Sequence, residues 1–184
     1  MKYNNIVIIS GPSGAGEDSV IDGIAKQTTV NRVVTTTTRS MRSGESEGHP
    51  YHFVTEADFN LEEMVEWAKE YNDNLYGVTV EELERVQQLP GVGVWKLEYK
   101  GVMAAREKFP EMVSILITAP EAVLEDRIRR RDTASDEHIR KRMEYTREWL
   151  QHTDIYDYIV ENTEGELHKT IEEVMDILRK EQYL

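Results

Sequence analysis

Ile6-Val7-Ile8-Ile9-Ser10-Gly11-Pro12-Ser13-Gly14-Ala15-Gly16-Glu17-Asp18-Ser19 decides the reading of this chain. An apolar run, a glycine-rich turn and a polar helix start make the frame of a phosphate-binding loop, G-x-x-x-x-G-K-[ST]. Gly11 and Gly16 keep its spacing, so backbone N–H groups and a helix N-terminus are available to cradle phosphate oxygens. Two residues break the pattern. Glu17 stands where the lysine belongs, and Asp18 where the serine or threonine belongs. At an effective dielectric near 20, unit charges about 4 Å apart interact by roughly 4 kcal/mol, so reversing one sign swings that energy by about twice as much. Either the loop no longer takes a nucleoside triphosphate, or a cation from elsewhere in the chain has replaced the lysine.

The 184 residues suit one domain with room for a sizeable core. Strand-like and helix-like stretches alternate, which predicts an α/β fold. Without cysteine there is no disulfide, thiolate metal site or cysteine nucleophile. No leader peptide or long apolar run is evident, so a soluble, cytoplasmic protein is expected. The net charge of -13 argues against nucleic acid or an anionic membrane as partner. The basic residues nevertheless cluster: Arg127, Arg129, Arg130, Arg131, Arg140, Lys141, Arg142 and Arg147 fall in one stretch. A small polyanion would suit such a cluster, but interleaved Glu125, Asp126, Asp132, Asp136 and Glu137 favour solvated, salt-bridged helices.

Working outward, residues 5–10 read as a strand buried on both faces and 17–27 as a helix with Val20, Ile21 and Ile24 inward. Residues 31–38 read as one Val/Thr-rich strand and 51–54 as another. Thr55 reads as a helix N-cap, with apolar spacing carried on through residues 61–67. Residues 75–79 lead through Gly77 into a helix over 80–88, and Pro90-Gly91 marks a turn. Residues 92–99 alternate, with Trp95, Leu97 and Tyr99 on one face and Lys96 and Glu98 on the other. Further helices are expected over 102–109, 122–131, 136–150 and 167–183, with strands over 113–118 and 158–160. A β-rich insertion near residues 33–79 interrupts the βα array.

Thr35-Thr36-Thr37-Thr38-Arg39 with Arg42, then Gly44 and Tyr51, suit a phosphomonoester. Arginine gives bidentate, charge-assisted bonds to phosphate oxygens, and hydroxyls complete the shell. Together with Tyr51-His52-Phe53, Glu66-Trp67-Ala68, Tyr76-Gly77, Gly101 and Ile159-Val160-Glu161-Asn162, these stretches resemble guanylate kinase along essentially the whole chain.

That resemblance implies a P-loop nucleoside monophosphate kinase fold. It divides into a parallel-sheet core (1–34, 80–125 and 148–184), an inserted GMP-binding segment (35–79) and a helical lid (126–147). It implies transfer of the ATP γ-phosphoryl group to GMP with Mg²⁺, by a monomer or homodimer. Thr35, Arg39, Arg42, Tyr51 and Tyr76 match contacts to the GMP phosphate, and Glu66 matches the carboxylate that accepts from guanine N1–H and N2–H₂. Thr79 falls near a base-contacting hydroxyl. Ser13, Gly14, Ala15, Gly16, Glu17, Asp18 and Ser19 would form the ATP loop, with Asn162 at the adenine rim. Arg131 and Arg142 match phosphate-clamping lid arginines, and Arg127 is a further one.

Three departures from the family matter: Glu17, Asp18 and Lys96. The family usually has two aspartates on the strand over 92–99, at the positions of Lys96 and Glu98. The sequence therefore suggests a charge exchange. Lys96 would reach the space of the missing lysine and pair with Glu17, Asp18 would hold Mg²⁺, and Glu98 would sit by the substrate or hold water near the metal. The rivals are an inactive guanylate-kinase-like module that binds nucleotide or phosphopeptide, and a kinase for another phosphorylated small molecule such as a sugar phosphate.

Overall fold

The computed structural model describes residues 3–42, 44–49, 51–69, 73–131 and 135–184, with the Arg131 side chain excluded. Its first sheet contains β1 (Ile6–Ser10), β2 (Val30–Arg32), β7 (Val92–Leu97), β8 (Ser114–Thr118) and β9 (Tyr158–Glu161). Their order is β2-β7-β1-β8-β9, and every pairing is parallel. A parallel strand covered on both sides needs apolar residues throughout, and all five β1 positions are buried. Val7 and Ile9 face the core formed with α1 (Glu17–Ala25) and α6 (Leu167–Lys180). Ile6 and Ile8 face the opposite core around Trp95.

β7 lies between β2 and β1, while β8 lies on the other side of β1. The carboxyl end of β1 is thus a switch point, where α/β sheets open a crevice for ligands. Lys96 is in register with Ile9 and continues the face of Val94 and Val92. That face carries α1, so strand alternation itself aims Lys96 at the helix start after the loop.

The second sheet has the order β4-β3-β6-β5 and comes from residues 35–79: β3 (Thr35–Thr37), β4 (Tyr51–Phe53), β5 (Met64–Lys69) and β6 (Leu75–Thr79). Val33, Val65 and Val78 share the core of Trp95, Leu97 and Tyr99, which packs this sheet against the first. The remaining helices are α2 (Val80–Gln87), α3 (Tyr99–Lys108), α4 (Glu121–Arg131) and α5 (Asp136–Leu150). Among the described residues no helix is long and apolar enough to cross a membrane.

Three local readings change. The strand expected over 31–38 is two strands in different sheets, because the Val33 N–H bonds to Val94 O at 2.9 Å and the Val34 N–H bonds to Glu82 at 2.7 Å. The helix expected from Thr55 through Trp67 is two short 3₁₀ turns followed by β5. Antiparallel pairing of β5 with β6 overrides the helical spacing of its apolar residues. The strand expected to reach Tyr99 stops at Leu97, and Tyr99 opens α3.

Candidate active site

The phosphate loop is held from behind. Gly14 and Gly16 adopt φ of 88° and 89°, in the left-handed region that favours glycine. A β-carbon on Gly16 would lie 2.6 Å from Asn162 Nδ2. Asn162 donates to Ala15 O at 2.7 Å, and Arg127 donates to Gly14 O at 3.2 Å and to Asn162 O at 2.9 Å. These bonds fix the loop's peptide planes. Arg127 also pairs with Glu164 and, with Gly14, Gly16, Ser19 and Asn162, lines a hollow of about 230 Å³ behind the loop. Gly16→Ala is expected to cost about 1–2 kcal/mol of stability for the left-handed backbone alone, measurable as a lower denaturant midpoint. It should also weaken phosphate binding at the loop.

Lys96 meets the loop as the alternation requires. Its ammonium lies 2.8 Å from Asp18 Oδ2 and 3.9 Å from Glu17 Oε1. The stronger pair is therefore with Asp18, where the charge exchange suggested Glu17. The other Asp18 oxygen accepts from Arg32 at 3.0 Å, and Arg32 also bonds Asp22 at 2.7 Å. Burial alone would lower the Lys96 pKa, but Glu17 and Asp18 outweigh it and raise it. Burial alone would raise the Asp18 pKa, yet Lys96 and Arg32 bring it below the usual carboxylate value. Carboxylates in the first turn are also favoured by the helix dipole. Among the described residues no cluster of three or more acidic or histidine side chains forms a metal cage.

A cleft of about 750 Å³ runs from Ser13 and Lys96 to the second sheet and is also lined by Thr35, Arg42, Tyr76 and Arg142. On the far side Arg39 is buried, pairs with Glu45 at 2.8 Å and lies 5.2 Å from the Tyr51 ring. Glu45 also accepts from the Arg42 backbone N–H at 2.7 Å. Tyr51 and Tyr76 stand edge to face at 5.8 Å. Thr35, Arg39, Arg42, Tyr51 and Tyr76 thus line one part of the cleft together.

Glu66 closes the other end and is 4% exposed. Burial first, then the Glu98 charge, pushes its pKa up to about 8, against the pull of Lys108. A β-carbon on Gly101 would lie 3.2 Å from the Glu66 carboxylate, so glycine there keeps the space open. Glu98 accepts a hydrogen bond from Tyr145 on α5. A buried carboxyl facing a cleft of this size suits, once ionised, a flat base with adjacent N–H donors.

A family profile described as guanylate kinase matches residues 3–181. The chain belongs to the guanylate kinase family. It is 36% identical over 168 residues to a guanylate kinase of Halalkalibacterium halodurans, covering 88% of this chain and 82% of the relative. It is 35% identical to that of Histophilus somni, covering 99% of this chain and 90% of the relative. The crystal structure of guanylate kinase from Anaplasma phagocytophilum superposes with a TM-score of 0.72 at 29% identity, covering 96% of this chain and 85% of that one. The family and the α/β fold with a parallel-sheet core read from the sequence are both borne out.

Within this guanylate kinase fold, Thr79 and several of the clustered basic residues stand apart from the cleft, although Lys141 lines it. The Thr79 hydroxyl caps α2 by accepting the Glu82 N–H at 3.2 Å. Arg129, Arg130, Arg140, Lys141 and Arg147 make ion pairs with neighbouring acids, as the interleaved charges suggested. Arg131 ends α4, and its side chain lies outside the described residues, as do Asp132–Ala134 in the expected lid. Arg32 and Lys108 were not singled out in the sequence. Each acts through a partner distant in sequence, and no local spacing announces it.

Proposed function

We propose that this chain transfers the γ-phosphoryl group of ATP to GMP, using Lys96 as the cation its phosphate loop lacks. One observation carries the reading: the Lys96 ammonium stands at the loop-to-helix junction, 2.8 Å from Asp18. The guanylate kinase relatives support the activity, and the inactive binding module is not favoured.

The loop backbone from Ser13 to Gly16 would hold the donor phosphates at the α1 N-terminus. Lys96 would leave Asp18 for the nucleotide's phosphates. Arg39, Arg42, Thr35, Tyr51 and Tyr76 would orient the GMP phosphate, which is anionic and needs no strong base to attack. Glu66, ionised, would accept both guanine donors, whereas adenine presents an acceptor at N1. Arg142, with Arg131, would neutralise the transferring group on lid closure, which also excludes water. Positioning and charge supply nearly all of such catalysis.

A Mg²⁺ ion accompanying ATP would offset the charge of its phosphates. Glu17 and Asp18 are the carboxylates at the loop that fit such an ion, since Mg²⁺ usually takes one or two carboxylates besides phosphates and water. Asp18 would have to exchange cations to do so, because both its oxygens are engaged.

ADP formation from MgATP with GMP, AMP, CMP, UMP or a sugar phosphate as acceptor tests the proposal. GMP alone should support turnover. A preference for the sugar phosphate would replace this reading with the other kinase. No turnover with any acceptor, while GMP still binds, would restore the binding-module reading.

A further inference from the structure

Arg32 on β2 has no part in the transfer described above, yet it lines the same cleft as Lys96. Its guanidinium bonds Asp18 Oδ1 at 3.0 Å and Asp22 Oδ1 at 2.7 Å, while Asp18 Oδ2 accepts from Lys96 at 2.8 Å. Asp18 is therefore a pivot with one oxygen for each cation. Sharing has two consequences. Bonding both oxygens holds the carboxylate in one orientation, and with it the ammonium. It also divides the carboxylate's charge between two cations, so that neither is held by the whole of it. An ammonium already facing Glu17 and Asp18 must be drawn off them by phosphate, and the less tightly Asp18 holds it, the easier that exchange is.

We propose that Arg32 is a positioning residue of the ATP site, acting through Asp18 to place Lys96 and to loosen the carboxylate's hold on it. This rests on the assignment of Lys96 as the relocated loop cation. A purely structural tie between β2 and α1 makes a different forecast. The Arg32 and Asp18 side chains are 43% and 57% exposed, and ion pairs that open to water add little to stability.

The test measures KM for MgATP and for GMP, kcat, melting temperature and affinity for a non-hydrolysable ATP analogue. The variants are Arg32→Met, Arg32→Lys, Asp18→Asn, Asp18→Asn with Arg32→Met, and Lys96→Ala. Arg32→Met keeps most of the apolar stem and removes the charge. It should weaken analogue binding and raise the MgATP KM about tenfold, the scale of one charge-assisted bond. The GMP KM should stay within about twofold and the melting temperature within about 3 °C. Arg32→Lys should recover part of the loss. With Asp18→Asn already present, Arg32→Met should cost less than about twofold, because the pivot is gone.

An Arg32→Met enzyme with unchanged analogue affinity and MgATP KM would overturn the proposal. So would the same loss with and without the Asp18 carboxylate, which would mean that Arg32 acts on nucleotide directly or through the fold. Full activity of Lys96→Ala is a separate outcome: it would remove the Lys96 assignment and this proposal with it. An Arg32→Met result that fails while Lys96→Ala is impaired would remove the positioning role alone.

Discussion

Lys96→Ala is expected to lower kcat/KM for GMP phosphorylation by at least about 10²-fold, the scale seen when one preorganised charge or donor is removed from a reacting centre. Lys96, Glu17 and Asp18 meet at the loop-to-helix junction. Without the ammonium, two carboxylates face the site where ATP phosphates must sit, and Asp18 keeps its pair with Arg32. The substitution therefore removes an attraction and exposes a repulsion. The Lys96 side chain is 36% exposed, so folding should change far less than catalysis. Steady-state turnover beside a denaturation curve separates the two. Near-normal turnover in a folded Lys96→Ala protein would contradict the relocated cation.

Glu66→Gln should cut kcat/KM for GMP by roughly 10²–10³-fold, because an amide NH₂ then faces a guanine donor in a buried site. The same amide fits the acceptor and donor of the adenine edge, so the GMP-to-AMP preference should fall by a similar factor. Competition between the two acceptors measures it. An unchanged preference would remove Glu66 from base recognition.

The pH dependence carries the same assignment. With a pKa of about 8, free Glu66 is mostly protonated at neutral pH, and only its ionised form accepts two donors. GMP affinity should rise from pH 7 through about 8 and level off roughly one unit above that. Protons should be released on binding. A phosphomonoester's own second ionisation, near about pH 6, is complete below that window. Glu66→Gln should abolish the rise, and an identical profile in the variant would assign it to another group. The sign for folding is opposite. Since the folded-state value lies above the ordinary 4.5, this group's contribution is fully present below that value and is lost as pH rises through about 8.

The sequence was most legible where local pattern and tertiary role agree. Ile6–Ser10 is a five-residue apolar run because both faces of β1 are buried, and glycines mark the turn that follows. Lys96 was findable because it stands where the resemblance implies an aspartate, at the end of a strand beside the loop, and alternation along β7 puts it on the face of Val92 and Val94. Met64–Lys69 was misread because its apolar spacing also suits a helix, and only pairing with β6, distant in sequence from its start, makes it a strand. Glu66 was named from family resemblance, but its burial follows from that strand and from the open space at Gly101. Arg32 escaped notice for the same reason. Its role depends on β2 lying beside β7 in the sheet, next to the start of α1.

The most direct test returns the charge to the loop. GMP-dependent turnover would be measured for Lys96→Ala and for Glu17→Lys combined with Lys96→Ala. If the two positions exchanged one cation, the double variant should recover at least about tenfold over the single one, one charge-assisted interaction's worth of rate. Equal activity in the two would contradict the exchange, since a lysine restored to the loop would then have no lost function to supply.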